Sequence, residues 1–305
     1  MPVSRTELES AVSTPLPLPG TGETFGRWAS LADTGESDLA LAKVVEPHHD
    51  ARAILAEIDD DAWVDGTWAV WAAQPPFARL TAVEHPDGWR LDGRKAFCSG
   101  GRLVTHALVT AETEDGAALF AVELSSNGIT VDLEAPGWVG PGMAGADTVT
   151  LAFEDVVARP VGAPGAYTDR PGFWHGAIGV AAVWWGGARG VAQVLEASTR
   201  LDPHGLAHRG AVRAALDAAR AVLIDAAQQV DAHPEAPAER LAQSVRATVA
   251  STVDTVLDHV GRATGPGPLA FDAAHAARVA DLTVFVRQHH AERDLQRLGE
   301  LGPTP

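Results

Sequence analysis

The sequence of 305 residues contains one cysteine, Cys98. A single thiol excludes an internal disulfide framework and a cysteine-based zinc site, and it fits a reducing compartment. Basic residues are scarce: 23 Lys and Arg stand against 40 Asp and Glu, a formal charge of −17. Such a balance leaves no basic face for a phosphate backbone or an anionic membrane surface, so neither nucleic acid nor membrane is an expected partner. Long apolar runs are missing as well. The most apolar segment, Gly176 to Ala188, falls short of the roughly 20 residues a spanning helix needs and reads as a buried helix. Residues 1–26 carry Pro, Gly and acidic residues where a secretory signal would carry a basic start and an apolar run, so a cytoplasmic location is expected.

What is present is a globular composition. Hydrophobic residues make up 46% of the chain, enough for one large or two to three small domains. Residues 1–26 read as a loop-like lead-in. Ser37-Asp38 then caps a helical pattern that ends before Pro47, and a second short helix follows with Ala51, Ile54, Leu55 and Ile58 inward. His48-His49-Asp50 suggests metal, but adjacent helical residues diverge and no further ligand pair lies at metal spacing. These histidines are expected to be solvated or capping, and no metal is expected.

From Gly66 the hydrophobic period changes from 3.6 to 2. Seven strand candidates (TWAVWAA, ARLTAVEHP, WRLDGRKAF, LVTHALVTAE, AALFAVEL, GITVDL and TVTLAFEDV) are separated by PDG, EDG and SNG turns, which predicts an antiparallel barrel or sandwich. Gly140 to Gly145 satisfies G-x-G-x-x-G, yet a Pro-rich turn precedes it and a strand follows, so a dinucleotide site is rejected. After a Pro/Gly-rich linker the helical period returns. Helices are predicted over Phe173 to Thr199, Ala207 to Ala232, Ala238 to Ala263 and Asp272 to Leu298, making a four-helix bundle. Glycines along the first of these allow close backbone approach to a neighbour or a ligand. The expected fold is therefore α+β and multidomain: a short N-terminal helical region (1–65), a middle β-domain (66–160) and a C-terminal bundle (173–300).

The most informative stretch is Gly88 to Gly101, GWRLDGRKAFCSGG. Pro86-Asp87-Gly88 turns the chain, Asp92-Gly93 supplies a second bend, and an aromatic is followed two residues later by a hydroxyl. Phe97 is suited to cover a flat ring while Ser99 offers a hydrogen bond to its rim; an ordinary strand whose Phe fills a core has the same pattern. Together with LVTHALVTAE, AALFAVEL and GMAGADTVTLAFEDVVARP, this stretch resembles the middle β-domain of the acyl-CoA dehydrogenase family, whose pattern is "L-x-G-x-K-x-W-I-T/S" and later "F-x-D-V-x-V-P". The likeness runs from about Gly66 to about Gly299 in the family's order.

The resemblance implies FAD between the β-domain and the bundle, part of it held by a second subunit, and hence a homo- or hetero-oligomer. Phe97 stands where the family has a flavin-covering Trp, Cys98 where it has an aliphatic, and Ser99 where it has a hydroxyl near the flavin edge. Gly265 and Gly267 stand where a glycine turn approaches the cofactor's phosphates. Arg200 lies near the family's phosphate arginine, though a solvated helix-end charge reads equally well. Glu292 is the nearest equivalent of the base that takes the α-proton of an acyl thioester; a surface ion-pair partner is the competing reading. His290 is the alternative, since monooxygenases of this fold carry a histidine segment before a terminal helix.

Two departures stand out. The family's Thr-Glu segment is replaced by Ala72-Ala73-Gln74, and the N-terminal region is about half the usual length. Trp68, Trp71, Trp174, Trp184 and Trp185 are candidates to line an acyl pocket or to pack the core. The implied activity is α,β-dehydrogenation of an acyl-CoA or related thioester, with an electron acceptor of the electron-transfer-flavoprotein kind. The alternatives are a flavin monooxygenase of the same fold and a non-catalytic partner subunit of a heteromeric flavoenzyme.

Overall fold

The computed structural model describes residues 2–302, apart from the side chain of Asp60. The chain divides into two compact units, one formed by residues up to Leu16, Lys43–Val139 and Ala144–Phe173, the other by Pro17–Ala42, Gly140–Met143 and the chain from Trp174 onward. The N-terminal region expected to be separate is thus shared between the two. Helix α3 (Leu39–Ile58) begins in the second unit and ends in the first.

The first unit opens with α1 (Arg5–Ala11) in the segment expected to be loop. A capping box forms it: Ser4 Oγ accepts from Glu7 N (3.2 Å) while Ser4 N donates to the Glu7 carboxylate (2.8 Å). The Ser-x-x-Glu spelling was present in the sequence and outweighs the nearby prolines. Pro47 lies inside α3, so the two short helices expected around it are one.

All seven expected strands form: β1 (Trp68–Trp71), β2 (Leu80–His85), β3 (Gly88–Cys98), β4 (His106–Thr113), β5 (Gly116–Glu123), β6 (Ile129–Val131) and β7 (Val149–Val161). The pairings β4-β2, β2-β3, β3-β7, β7-β5 and β5-β4 close a ring, which makes a small barrel, with β1 added on β4 and β6 on β7. The barrel is not wholly antiparallel. β1 runs parallel to β4, and β2 meets β4 in parallel at Thr81 and Glu112, because the β2-β3 hairpin intervenes between them in the chain. Asp92-Gly93 is no turn either: β3 runs through it, with a register shift against β7 and Gly93 at φ 119°. Ala51, Ile54 and Leu55 of α3 pack with Trp68, Leu108, Leu119 and Val161 in one apolar core. The unit closes with α4 (Ala166–Asp169).

The second unit contains α2 (Thr24–Ser37), α5 (Gly172–Glu196, entering from the first unit), α6 (Pro203–Ala232), α7 (Glu239–Thr264), α8 (Gly267–Phe271), α9 (Ala273–Phe285) and α10 (Glu292–Glu300). On α6 Val212, Ala219, Leu223, Ala226 and Val230 are buried at helical spacing, and on α7 Val245, Val249, Val253, Val256 and Val260. The α5 glycines serve a neighbouring helix: a Cβ on Gly186 would collide with the Ala32 carbonyl of α2, and one on Gly190 would stand 2.7 Å from the Glu36 carbonyl. The single terminal helix expected is instead two, α9 and α10, separated by a 3₁₀ turn (Val286–Gln288) and by Ala291 at φ 47°. Among the described residues no helix is long and apolar enough to cross a membrane.

Candidate functional site

The end of β3 sets the candidate site in the first unit. Phe97 adopts φ 59°, a left-handed conformation that costs a non-glycine residue free energy, and its ring is 51% exposed. It meets Phe77 edge to face at 6.0 Å, another exposed ring. A strained, half-exposed aromatic at a strand end is held there by its surroundings and is not filling a core.

Ser99 follows, nearly buried. Its Oγ lies 2.9 Å from Thr148 Oγ1, and its carbonyl accepts the Trp71 indole N–H at 3.1 Å. The hydroxyl pair is a feature sequence reading missed, since Thr148 stands far along the chain and only the β3-β7 register brings it opposite; Cys98 pairs with Val149 there. Cys98, between Phe97 and Ser99, has its side chain buried. The register shift between Lys95 and Cys98 and the left-handed Phe97 break the alternation of β3, so that Cys98 is fully buried where Phe97 is exposed, and its thiol bonds to the Lys95 carbonyl at 3.2 Å. Burial pushes this thiol up to about 12, only partly offset by the Lys95 charge. An inert thiol of this kind positions the strand end.

Trp68 and Trp71 are buried, as are Trp184 and Trp185 in the second unit, so these four pack cores. Trp174 is half-buried. Ala72, in place of the family's Thr-Glu segment, offers its carbonyl to Thr110 Oγ1 at 3.2 Å.

His48 and His49 are buried, not solvated. The Trp68 backbone N–H donates to His48 Nδ1 at 3.2 Å, which places the ring's proton on Nε2. Both line a cavity of about 390 Å³ with Glu9, Arg52, Trp63 and Thr67. No group of three or more metal-ligating side chains occurs among the described residues.

In the second unit the expected residues sit at three places. Arg200 is exposed between α5 and α6. Gly265 ends α7 at φ 65°, its N–H bonded to the Gly261 carbonyl at 2.9 Å, and Gly267 begins α8; a Cβ on either would enter open space. Glu292 is exposed in the first turn of α10. His290 is exposed just before it, and Asp294 accepts its backbone N–H (3.0 Å) and lies 3.3 Å from its Nδ1. Burial raises the Asp294 carboxyl, but the His290 N–H and the charges of His290, His289 and Arg246 outweigh burial and hold the carboxyl below its usual range. The helix break separates His289, which is buried, from Arg293, which is exposed.

A helical lead, a closed barrel and a helical bundle in this order are the fold of the acyl-CoA dehydrogenases. The chain superposes on butyryl-CoA dehydrogenase from Megasphaera elsdenii with a TM-score of 0.79 at 16% identity, over 89% of this chain and 80% of that one. It matches TdsC from Paenibacillus sp. A11-2, a dibenzothiophene monooxygenase solved with FMN and indole, with a TM-score of 0.78 at 18% identity, over 91% and 82% of the two chains. A glutaryl-CoA dehydrogenase from Mycobacterium smegmatis, solved with FADH2, gives 0.76 at 15% identity, over 89% and 78%. No family model matches the chain, and no curated protein does.

Proposed function

We propose that this chain is a flavin-dependent oxidoreductase. The observation that supports it is the end of β3: a strained, half-exposed Phe97 followed by the Ser99-Thr148 hydroxyl pair, on a barrel of the fold whose solved neighbours bind FMN or FADH2. These residues suit an isoalloxazine, with an aromatic ring for its face and hydroxyls for its polar rim. A bound flavin supplies two-electron redox chemistry that side chains lack. Phe97 would orient the ring system and Ser99 with Thr148 would fix its edge. Arg200 would offer a guanidinium to phosphates, and Gly265 and Gly267 an uncrowded backbone. FAD is the cofactor proposed, in an assembly of at least two copies.

The reaction proposed is α,β-dehydrogenation of an acyl thioester, with Glu292 receiving the α-proton and an electron-transfer-flavoprotein-type acceptor completing the cycle. One observation favours a second reading, oxygen-using monooxygenation: Asp294 fixes His290 at both its backbone N–H and its ring, while Glu292 stands exposed in the next turn. The deciding experiment loads the purified protein with FAD or FMN and mixes it anaerobically with an acyl-CoA. Bleaching that is lost by about 10²-fold or more in Glu292→Gln supports dehydrogenation. Absence of bleaching, with oxygen uptake by the reduced protein that is sensitive to His290→Ala, supports the second reading. A protein that takes up no flavin would overturn both, and light scattering that finds a monomer would overturn the assembly.

A further inference from the structure

Away from this site, the seam between α6 and α7 brings two imidazoles together. The register that sets the Thr252 hydroxyl on the Ala215 carbonyl (3.3 Å) sets His259 opposite His208 two turns further along. Their Nδ1 atoms are 2.8 Å apart, with ring centroids at 5.0 Å and the planes at 64°. Both residues are half-buried. At 2.8 Å the two Nδ1 lone pairs point at one place, where only a single proton fits.

We propose that His208 and His259 form a binding site for a divalent transition-metal ion of the zinc, nickel or copper class, completed by His204. Zinc–imidazole bonds of 2.0–2.1 Å at a tetrahedral angle need nitrogens about 3.3 Å apart, so the rings open by about half an ångström. The ring that donates in the hydrogen-bonded pair moves its proton from Nδ1 to Nε2, which frees both Nδ1 atoms as ligands without net proton release. His204 is exposed one turn before His208 on α6. That i, i+4 spacing puts two imidazoles on one helix face and chelates metals in helical zinc sites. Among the described residues no three such side chains converge on one point. The pair is the preformed part, a rotamer change of His204 supplies the third nitrogen, and water fills the remaining position.

The surroundings do not oppose a cation. Arg209 is engaged by the carbonyls of Leu195 and Ser198, and Arg262 by Asp258, whose carboxylate adds negative charge next to His259. His259 lies within two turns of the C-terminal end of α7, where the helix dipole is negative, although only the last turn benefits strongly.

The test is calorimetric titration of the full chain with zinc chloride and, separately, nickel chloride, together with melting curves with and without EDTA. The proposal expects one ion per chain, a melting temperature raised by metal and restored by EDTA, and affinity weakened about tenfold or more in His208→Gln and in His259→Gln. His204→Gln should weaken binding by a smaller factor. Helical circular dichroism of each variant confirms that the half-exposed substitutions leave the fold intact. No heat and no melting shift with either metal at about 100 µM would overturn the proposal and leave a hydrogen-bonded imidazole pair. Binding at parent strength in the His208→Gln/His259→Gln double variant would overturn it equally, since the ion would then sit elsewhere.

Discussion

The Lys95 ammonium, buried inside the barrel unit, donates to both the carbonyl and the hydroxyl of Thr110, at 2.5 and 2.8 Å. Burial lowers its pKa from the usual 10.5 to about 8, with only partial relief from Cys98 and Glu112. Below pH 8 the folded chain therefore carries a charge that costs about 3 kcal/mol relative to the unfolded one. Between pH 8 and 10.5 the unfolded state binds the extra proton, so this term makes stability rise with pH. Cys98 acts in the opposite sense above its usual 9.0, because the folded thiol keeps its proton to about 12. The expected profile rises by about 1 kcal/mol from pH 8 to 9 and then levels. Urea denaturation should show that rise diminish in Lys95→Met, leaving the part that comes from Lys43, whose ammonium burial also lowers, and continue past pH 9 in Cys98→Ala. Equal profiles in all three proteins would contradict the argument.

If Phe97 covers a flavin as proposed, its strained backbone sets stability against binding. Replacing it with glycine removes the positive-φ penalty and gives up little buried surface, so Phe97→Gly should be as stable as the parent or more stable by about 1 kcal/mol. The same change should weaken flavin binding about tenfold, read by fluorescence titration. Parent affinity in Phe97→Gly would remove Phe97 from the flavin site.

The α2-α5 contact gives a pair of glycine substitutions of opposite sign. Gly186→Ala drives a methyl into the Ala32 carbonyl and should lose about 2 kcal/mol or more. Gly210→Ala, within α6 and facing open space, should gain up to about 1 kcal/mol from helix propensity. Thermal melts of the two variants moving in the same direction would show that the glycines are not there for close approach.

Helix α1 depends on its capping box. In Ser4→Ala the amides of α1 should exchange about fivefold faster with deuterium while those of α6 stay unchanged. The Ser4 hydroxyl and backbone bonds hold the Glu7 carboxyl below its usual range. Their support is therefore full above that range and lost as pH falls through the lowered value, so acid should mimic the substitution.

Most of the fold was legible because periodicity is a strong signal: seven strands and three of the four bundle helices lie where alternation and the 3.6 repeat put them. What was missed depends on contacts that a linear reading does not contain. The parallel pairing of β1 with β4 and the hydroxyl of Thr148 beside Ser99 arise from register between distant strands. Pro47 is tolerated inside α3 by the helix around it, and Ala291 breaks the last helix without a glycine or proline to announce it. At the candidate site, Phe97 and Ser99 were readable from a local motif. The burial of Cys98 was not readable from alternation, because the bulge between Lys95 and Cys98 and the left-handed Phe97 interrupt the period of β3.

Ring closure of five strands leaves the barrel with almost no place to grow. Among the described strands only β1 and β6 have a single partner, and they are four and three residues long. Row upon row of unpaired amides is what templates the stacking of one chain on another, and a stub of three or four residues is too short to start it. The weak point of the ring is β2, which meets β4 only at Thr81 and Glu112, so the side of β2 beyond Thr81 is where a chain with so much valine and alanine in its sheet would pair with another copy.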